Sequence, residues 1–395
     1  MAKLKKSLFE KVFPLGIPLA WLQLSREKKR FFVAIAGITF AVTMMLFQMG
    51  LQSALFRQVV APILLLDADV MIVSPNYEYF GVGRGFSSMR LNQAYGDNNV
   101  ESISELKLGG MSFKNPENGK ERDIFIIAFD PSKDVFESAD IKSQQYLLKK
   151  EGTVLFDSLS RDQYGDIPKL LEGSIVDTEL NGTRTKIEGT MQIGATFAAD
   201  GNILMSLNTF NMINAGALSS DINVGIIKLK DKTKLEESLA KLRSIYTEDI
   251  IVMSKEEFIK SEKDYWAIRT PIGFVIGASM AVAIFVGAVI VYQILYTDVT
   301  DHLPEYATLK AIGFDDKFFI TVILQESMIL SFLGFIPGAF FAGGLYYLTR
   351  TFAHMPTYLT TQSLFIVFSL TLFMCVVAGL FATRKLRSAN PSDIF

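Results

Sequence analysis

Pro271–Thr297 reads PIGFVIGASMAVAIFVGAVIVYQILYT, a run without a single Asp, Glu, Lys or Arg. At a helical rise of 1.5 Å, about 20 residues cross a hydrocarbon core of roughly 30 Å, so this run is long enough to be a membrane span. A buried helix of a soluble protein rarely extends so far without charge. Three further charge-free windows qualify on the same ground: Phe31–Phe56, Ser327–Thr349 and Met355–Thr383. Aromatic residues gather at their ends, Tyr265 and Trp266, Tyr292 and Tyr296, Tyr346, Tyr347 and Tyr358, where lipid meets water.

The averages follow from this division. Half of the 395 residues are hydrophobic and 20% are charged, the net charge is −2 and the mean hydropathy is +0.29. That is too apolar for an ordinary soluble protein and too charged for a chain made only of spans, so two unlike parts share it. The single Cys375 excludes an intrachain disulfide, and with only His302 and His354 beside it no zinc site of the usual kind can be assembled. A near-zero net charge gives no reason to expect a nucleic acid partner.

Basic residues set the expected orientation. The first thirty residues hold Lys3, Lys5, Lys6, Lys11, Arg26, Lys28, Lys29 and Arg30 against Glu10 and Glu27, and the tail carries Arg384, Lys385 and Arg387. Both termini are expected on the cytoplasmic side of the membrane, with the first span an uncleaved anchor. The expected division is 1–30 an interfacial segment, 31–56 the first span, 57–264 a large outside domain and 265–297 a stalk end with the second span. It continues with 298–317 an inside loop, 318–349 the third span, 350–354 an outside turn, 355–383 the fourth span and 384–395 an inside tail. Leu8–Leu24 mixes apolar and basic residues around Pro14 and Pro18, which suits a helix on the inner leaflet or an irregular membrane-associated tail.

The outside segment is long enough to bury its own core. Strands are expected at Ala68–Val73, Ile124–Phe129, Ile175–Thr178, Thr185–Ile193, Ile203–Leu207, Val224–Leu229 and Ile250–Met253, with Asn181-Gly182 as a hairpin turn. Leu235–Tyr246 reads as an amphipathic helix between two strands, giving an α+β domain. Glu256–Trp266 reads as a helix running on into the second span with Pro271 a tolerated break, either a stalk that carries motion or a plain linker.

Catalytic patterns are missing from the sequence. Gly119-Lys120 lacks the glycine and hydroxyl residue of a phosphate loop, and no GxSxG or HExxH pattern occurs. The chain is therefore expected not to be an enzyme and to bind no cofactor or metal itself. Glu326, about 12 Å into an apolar run at helical rise, is read as reaching back to the inner interface or making capping contacts near the inside loop, rather than as a proton site.

The loop between the second and third spans carries the clearest local design. Pro304 suits a first helical position, Glu305 the positive N-terminal end, Lys310 the last turn and Gly313 a left-handed cap. So short a helix is marginal alone in water and must pack on something. His302, Glu305, Tyr306 and Leu309 fall on one face, a mixture suited to a protein groove. Gly273-x-x-x-Gly277 and Gly334-x-x-x-Gly338 would let helices approach closely, within a subunit or at a dimer seam, and Pro337 is expected to kink the third span.

Glu305-Tyr306-Ala307-Thr308-Leu309-Lys310-Ala311-Ile312-Gly313 resembles the signature that follows the second span in MacB/FtsX/LolCE-type ABC transporter permeases. Pro18–Leu24, Pro271–Gly273, Val291–Val299, Asp301–Tyr306 and Gln325-Glu326 are similar to the DevC branch of cyanobacteria. The resemblance covers the membrane part, and Gly173–Ile193 resembles the family's strand-rich repeat. It implies a type VII architecture: a homodimer of four-span subunits bound to a separate, DevA-like ABC ATPase that holds ATP and Mg. His302, Pro304, Glu305, Tyr306, Leu309, Lys310 and Gly313 would then belong to the helix that sits in the ATPase cleft. It further implies export of a lipid or other amphiphile, a glycolipid in DevC relatives, into a DevB-like membrane-fusion adaptor and a TolC-like outer-membrane duct. An FtsX-like regulator of a periplasmic enzyme and LolCE-like lipoprotein extraction are the competing readings.

Overall fold

Four helices carry the apolar windows in the computed structural model, which describes residues 19–172, 174–196, 199–214, 221–246, 249–353 and 355–387. Most of the Leu8–Leu24 segment, Gly173, His354 and the end of the tail lie outside the described residues. The chain divides into two units, one built from the residues up to Ala54 and from Pro271 onward, the other from Leu55 to Thr270.

The membrane unit begins with α1 (Leu19–Arg26), joined through the single residue Glu27 to α2 (Lys28–Leu64). The other spans are α5 (Pro271–Asp301), α7 (Asp316–Ala353) and α8 (Thr361–Arg387), with the short α6 (Leu303–Ala311) between α5 and α7. Labels α3 and α4 are kept for Leu235–Ile245 and Lys255–Asp264 of the other unit. The helix of the fourth window starts at Thr361, six residues after Met355, because Pro356 offers no amide hydrogen and Thr360 supplies a cap: Ser363 N donates to Thr360 Oγ1 at 3.2 Å. The third span stays helical through Pro337.

Small residues set the packing of these helices. An added Cβ on Gly334 would lie 2.5 Å from Ile38 Cγ2, and one on Gly338 would lie 2.7 Å from Val42. Thr39 and Thr43 of α2 donate across the same seam to the carbonyls of Gly334 and Gly338, each at 3.2 Å. This glycine pair therefore seats α7 on α2 inside the subunit. Around Gly277 nothing lies within 4 Å, so the other glycine pattern faces away from this packing at that position. The core joins Ile38, Val42 and Met45 of α2 to Val291 and Leu295 of α5, Leu330 of α7 and Met374 and Cys375 of α8.

The inserted unit is an α/β domain on a nine-stranded sheet. Its strands are β1 (Val70–Val73), β2 (Val100–Lys114), β3 (Glu121–Phe129), β4 (Thr153–Asp157), β5 (Val176–Leu180), β6 (Thr183–Met191), β7 (Asn202–Ser206), β8 (Val224–Leu229) and β9 (Ile251–Ser254). Their order is β9-β1-β8-β2-β3-β7-β4-β6-β5, and Phe113 of β2 also pairs with Leu180 of β5, closing six strands on themselves. Phe113, Ile126, Phe156, Tyr164, Ile187 and Ile203 are buried together among these six. Strand β1 is antiparallel to both β8 and β9, so β8, α3 and β9 form a split βαβ unit around it. The β5–β6 turn has Asn181 at φ 47° and Gly182 at φ 76°, the left-handed pair that two-residue hairpins favour.

Helix α4 starts with a capping box, in which Ser254 Oγ accepts from Glu257 N at 3.0 Å and Ser254 N donates to Glu257 Oε2 at 2.9 Å. A π-helical turn, Tyr265–Arg269, follows it, and Thr270 is then extended at φ −106° and ψ 150°. The break expected at Pro271 is a full interruption rather than a tolerated one, so the helix is not continuous into the second span. The ring of Pro271 drives the preceding residue out of the helical region, and α5 starts afresh at the proline.

Candidate functional site

The feature that stands out from the membrane unit is α6. Its N-terminal turn holds Pro304 and Glu305, and its C-terminus closes in a two-bond cap in which Gly313 N donates to Lys310 O and Phe314 N to Leu309 O, both at 3.1 Å. Gly313 takes φ 109° to make that turn. Leu309 and Phe314 pack together over the cap, beside Phe318, and the core beneath is Val299, Tyr306, Phe319 and Ile323. The Tyr306 ring meets Phe319 edge-on with centroids 5.2 Å apart. This apolar seat, supplied by α5 and α7, is what holds a nine-residue helix that could not persist alone.

The seat decides which side of α6 is available. Tyr306 is 2% exposed and His302 is buried, and Leu309 and Lys310 are half-buried, so the face that sequence reading offered to a partner is largely turned into the protein. Pro304, Glu305, Thr308 and Ile312 are exposed, Ile312 to 73%, together with Gly313. Thr308 and Ile312 were missed, although Pro304, Thr308 and Ile312 recur every four residues and so mark one helical stripe.

Polar groups collect under the buried face. Gln23 of α1 donates from Nε2 to the Tyr306 hydroxyl at 3.2 Å. His302 Nδ1 lies 3.1 Å from Glu305 Oε2, and its Nε2 lies 3.7 Å from Asp298 Oδ1. Arg30 at the start of α2 pairs with Glu27 at 2.7 Å and with Asp301 at the end of α5, and Arg26 faces Glu305 at 3.9 Å. Burial first, then the Glu326 and Asp298 carboxyls, push the Tyr306 phenol well above its ordinary value, so it stays a neutral hydroxyl. Of the two readings of Glu326, the structure agrees with contact near the inside loop and not with reaching back to the interface. Glu326 is fully buried beside Asp298, because its position on α7 points it under α6. Among the described residues no group of three or more His, Cys, Asp or Glu could hold a metal ion.

The inserted unit has its own buried carboxylate. Glu262 of α4 accepts from the Tyr77 hydroxyl at 2.6 Å and from the Phe80 amide at 3.1 Å, fastening the hairpin Tyr77–Gly83 to the helix. Tyr79 of the same hairpin lies against Tyr265 and Trp266, with centroids 5.0 and 5.3 Å apart. Burial pushes the Glu262 carboxyl up to about 7 despite the two hydrogen bonds that oppose it. The adjoining cavity, between Phe125, Asn202, Glu262 and Trp266, measures only ≈ 30 Å³, room for water and not for a cargo molecule.

The described residues thus hold four helices long and apolar enough to cross a membrane, a domain inserted between the first two and a short C-capped helix between the next two. Residues 277–391 match the FtsX-like permease C-terminal family. The chain is 22% identical over 381 residues, 95% of this chain and 98% of the relative, to a Staphylococcus haemolyticus protein named as a hemin transport system permease, HrtB. Two solved domains overlap part of the chain at low scores. The extracellular domain of the ABC-type transporter YknZ from Gram-positive bacteria covers 47% of this chain and 98% of its own, at 12% identity and TM-score 0.32. The periplasmic region of MacB from Actinobacillus actinomycetemcomitans covers 50% and 93%, at 10% identity and TM-score 0.33.

Proposed function

We propose that this chain is the membrane subunit of an ATP-driven export pump of the inner membrane, working as a homodimer with both termini in the cytoplasm and the inserted domain outside. A separate ABC ATPase binds ATP and Mg and receives α6 in a cleft. The observation that carries this reading is the build of α6: started at Pro304 in its first turn, closed by a C-terminal cap at Gly313, seated on α5 and α7, and presenting Pro304, Glu305, Thr308 and Ile312 outward. A helix fixed in this way moves as a rigid peg, so a force on its exposed stripe is delivered to the spans rather than absorbed by a loop.

The spans support force transmission better than passage of cargo. An apolar groove of ≈ 1170 Å³ between α2 and α7 is lined almost wholly by aliphatic and aromatic side chains, with Thr39 and Thr43 the hydroxyl-bearing exceptions beside Tyr347. The cargo is an amphiphile collected outside by the inserted domain and passed to a membrane-fusion adaptor and a TolC-like duct. The DevC-like motifs favour a glycolipid, whereas the full-length relative is named for hemin, itself a flat amphiphile.

Reconstitution of the permease with its ATPase tests the reading. Glu305→Lys and Ile312→Asp are each expected to lower stimulated hydrolysis by about tenfold or more, the effect of losing one interfacial anchor, while membrane insertion is unchanged. Stimulation equal to wild type in both variants contradicts it. For the cargo, a deletion strain that loses an exported glycolipid and keeps normal hemin tolerance supports the lipid, and the reverse pattern supports hemin.

A further inference from the structure

The short helix α1 lies against α7 and is joined to α6 by a buried side-chain pair, in which Gln23 Nε2 donates to the Tyr306 hydroxyl at 3.2 Å and the hydroxyl lies 3.5 Å from Gln23 Oε1. Gln23 and Tyr306 are both buried, along with Ala20 and Leu24 on the same side of α1, while Trp21 and Leu22 are exposed. A buried polar pair of this kind is sensitive to loss of either member, because the remaining group is left sealed from water without a partner. The neighbouring Arg26–Glu305 pair is solvent-exposed at 3.9 Å and holds little by comparison.

Chain connectivity gives the bond a mechanical meaning. Helix α6 follows α5 after one residue, His302, and α1 precedes α2 by one residue, Glu27. The Gln23–Tyr306 bond therefore closes a loop from α6 through α1 to the first span, in addition to the covalent link to the second. Arg30 of α2 paired with Asp301 of α5 closes the same loop from the other side. Helix α2 runs unbroken from Lys28 to Leu64, whereas α5 is separated from α4 at the extended Thr270.

We propose that α1 is a positioning strut for the coupling helix, in which Gln23 holds Tyr306 so that a displacement of α6 reaches the first span as well as the second. Gln23 and Tyr306 act through the placement of α6 and do not themselves meet the ATPase. The proposal rests on the reading of α6 as the coupling helix, but its primary test needs no ATPase. Hydrogen exchange is measured on the full-length permease in lipid nanodiscs. Gln23→Met keeps the side-chain length and removes the hydrogen bonding, and Tyr306→Phe removes the hydroxyl from the other side. Each is expected to raise exchange of the Leu309–Phe314 amides about fivefold, the effect of one buried hydrogen bond, and the double variant no more than either single one. Unchanged exchange in Gln23→Met, or effects that simply multiply in the double variant, overturns the strut.

With the ATPase added, Gln23→Met should retain binding and basal hydrolysis and lose most of the stimulated part, with partial recovery when Tyr306→Phe is combined with it. Full stimulation in Gln23→Met also overturns the strut. If the wild-type permease fails to bind an ABC ATPase at all, the proposed function fails while the exchange result still decides the role of α1.

Discussion

Replacing Glu262 by glutamine should remove most of the pH dependence of the inserted domain between pH 5 and 8. The carboxyl has an ordinary value of 4.5 and is pushed to about 7 in the folded domain by burial. Because the folded value is the higher one, the folded state holds the proton more tightly. Stability from this group is full below pH 4.5 and is lost as pH rises through 7. The gap between the two values, at about 1.4 kcal/mol per pH unit, amounts to about 3.5 kcal/mol. For a domain of roughly 200 residues that corresponds to a melting temperature roughly 7–14 °C lower at pH 8 than at the acid end.

The window belongs largely to Glu262. Neither histidine lies in the inserted domain, and the carboxyls that hydrogen bonds or cations hold down, Asp97, Asp130, Asp177, Asp231 and Glu257, contribute stability that is lost only as pH falls below their ordinary range. Glutamine reproduces the protonated acid: its carbonyl accepts from Phe80 N and its amide donates to the Tyr77 hydroxyl. The assay is thermal unfolding of the full-length protein in nanodiscs with Trp21→Phe, which leaves Trp266, beside Glu262 in the small cavity, as the only tryptophan. Wild type should melt lower at pH 8 than at pH 5, and Glu262→Gln at nearly the same temperature at both. An undiminished pH dependence in Glu262→Gln refutes the reasoning.

Two further outcomes follow from the packing and the topology. Gly334→Ala drives a Cβ to 2.5 Å from Ile38 Cγ2 and should destabilise the membrane unit by about 1–3 kcal/mol, read as earlier aggregation on heating in detergent, whereas Gly277→Ala, with open space around it, should change stability by less than about 1 kcal/mol. A cysteine at Glu117, exposed in the β2–β3 turn, should react with an impermeant maleimide on intact spheroplasts of a strain carrying Cys375→Ala, and protection there reverses the proposed orientation.

The parts legible in the sequence were those in which one physical rule acts alone. Charge-free length revealed the spans, and Asn181-Gly182 revealed a hairpin because few other pairs adopt two consecutive left-handed conformations. Pro304 and Gly313 marked α6 for the same kind of reason. The longest strand, Val100–Lys114, was missed because Glu101, Glu105, Lys107 and Lys114 break up its apolar positions and Gly109-Gly110 reads as punctuation, although tertiary pairing with β3 and β8 holds it extended. Thr153–Asp157 was missed as a short run buried at every position, which periodicity cannot recognise. The orientation of α6 was likewise hidden. His302, Glu305, Tyr306 and Leu309 do lie near one another, but whether that side meets a partner or the protein itself depends on Phe319 and Ile323, which only the folded chain brings beneath it.

The central claim, that α6 is the element through which a separate ATPase drives this permease, is tested most directly by photo-crosslinking in living cells. A photoreactive amino acid is placed at Ile312, on the exposed stripe, and in a second strain at Tyr306, on the buried face. The account predicts a crosslink from Ile312 to an ABC ATPase identified by mass spectrometry, and none to that ATPase from Tyr306. An Ile312 probe that captures only lipid or the permease itself, in cells where the pump is active, would contradict it.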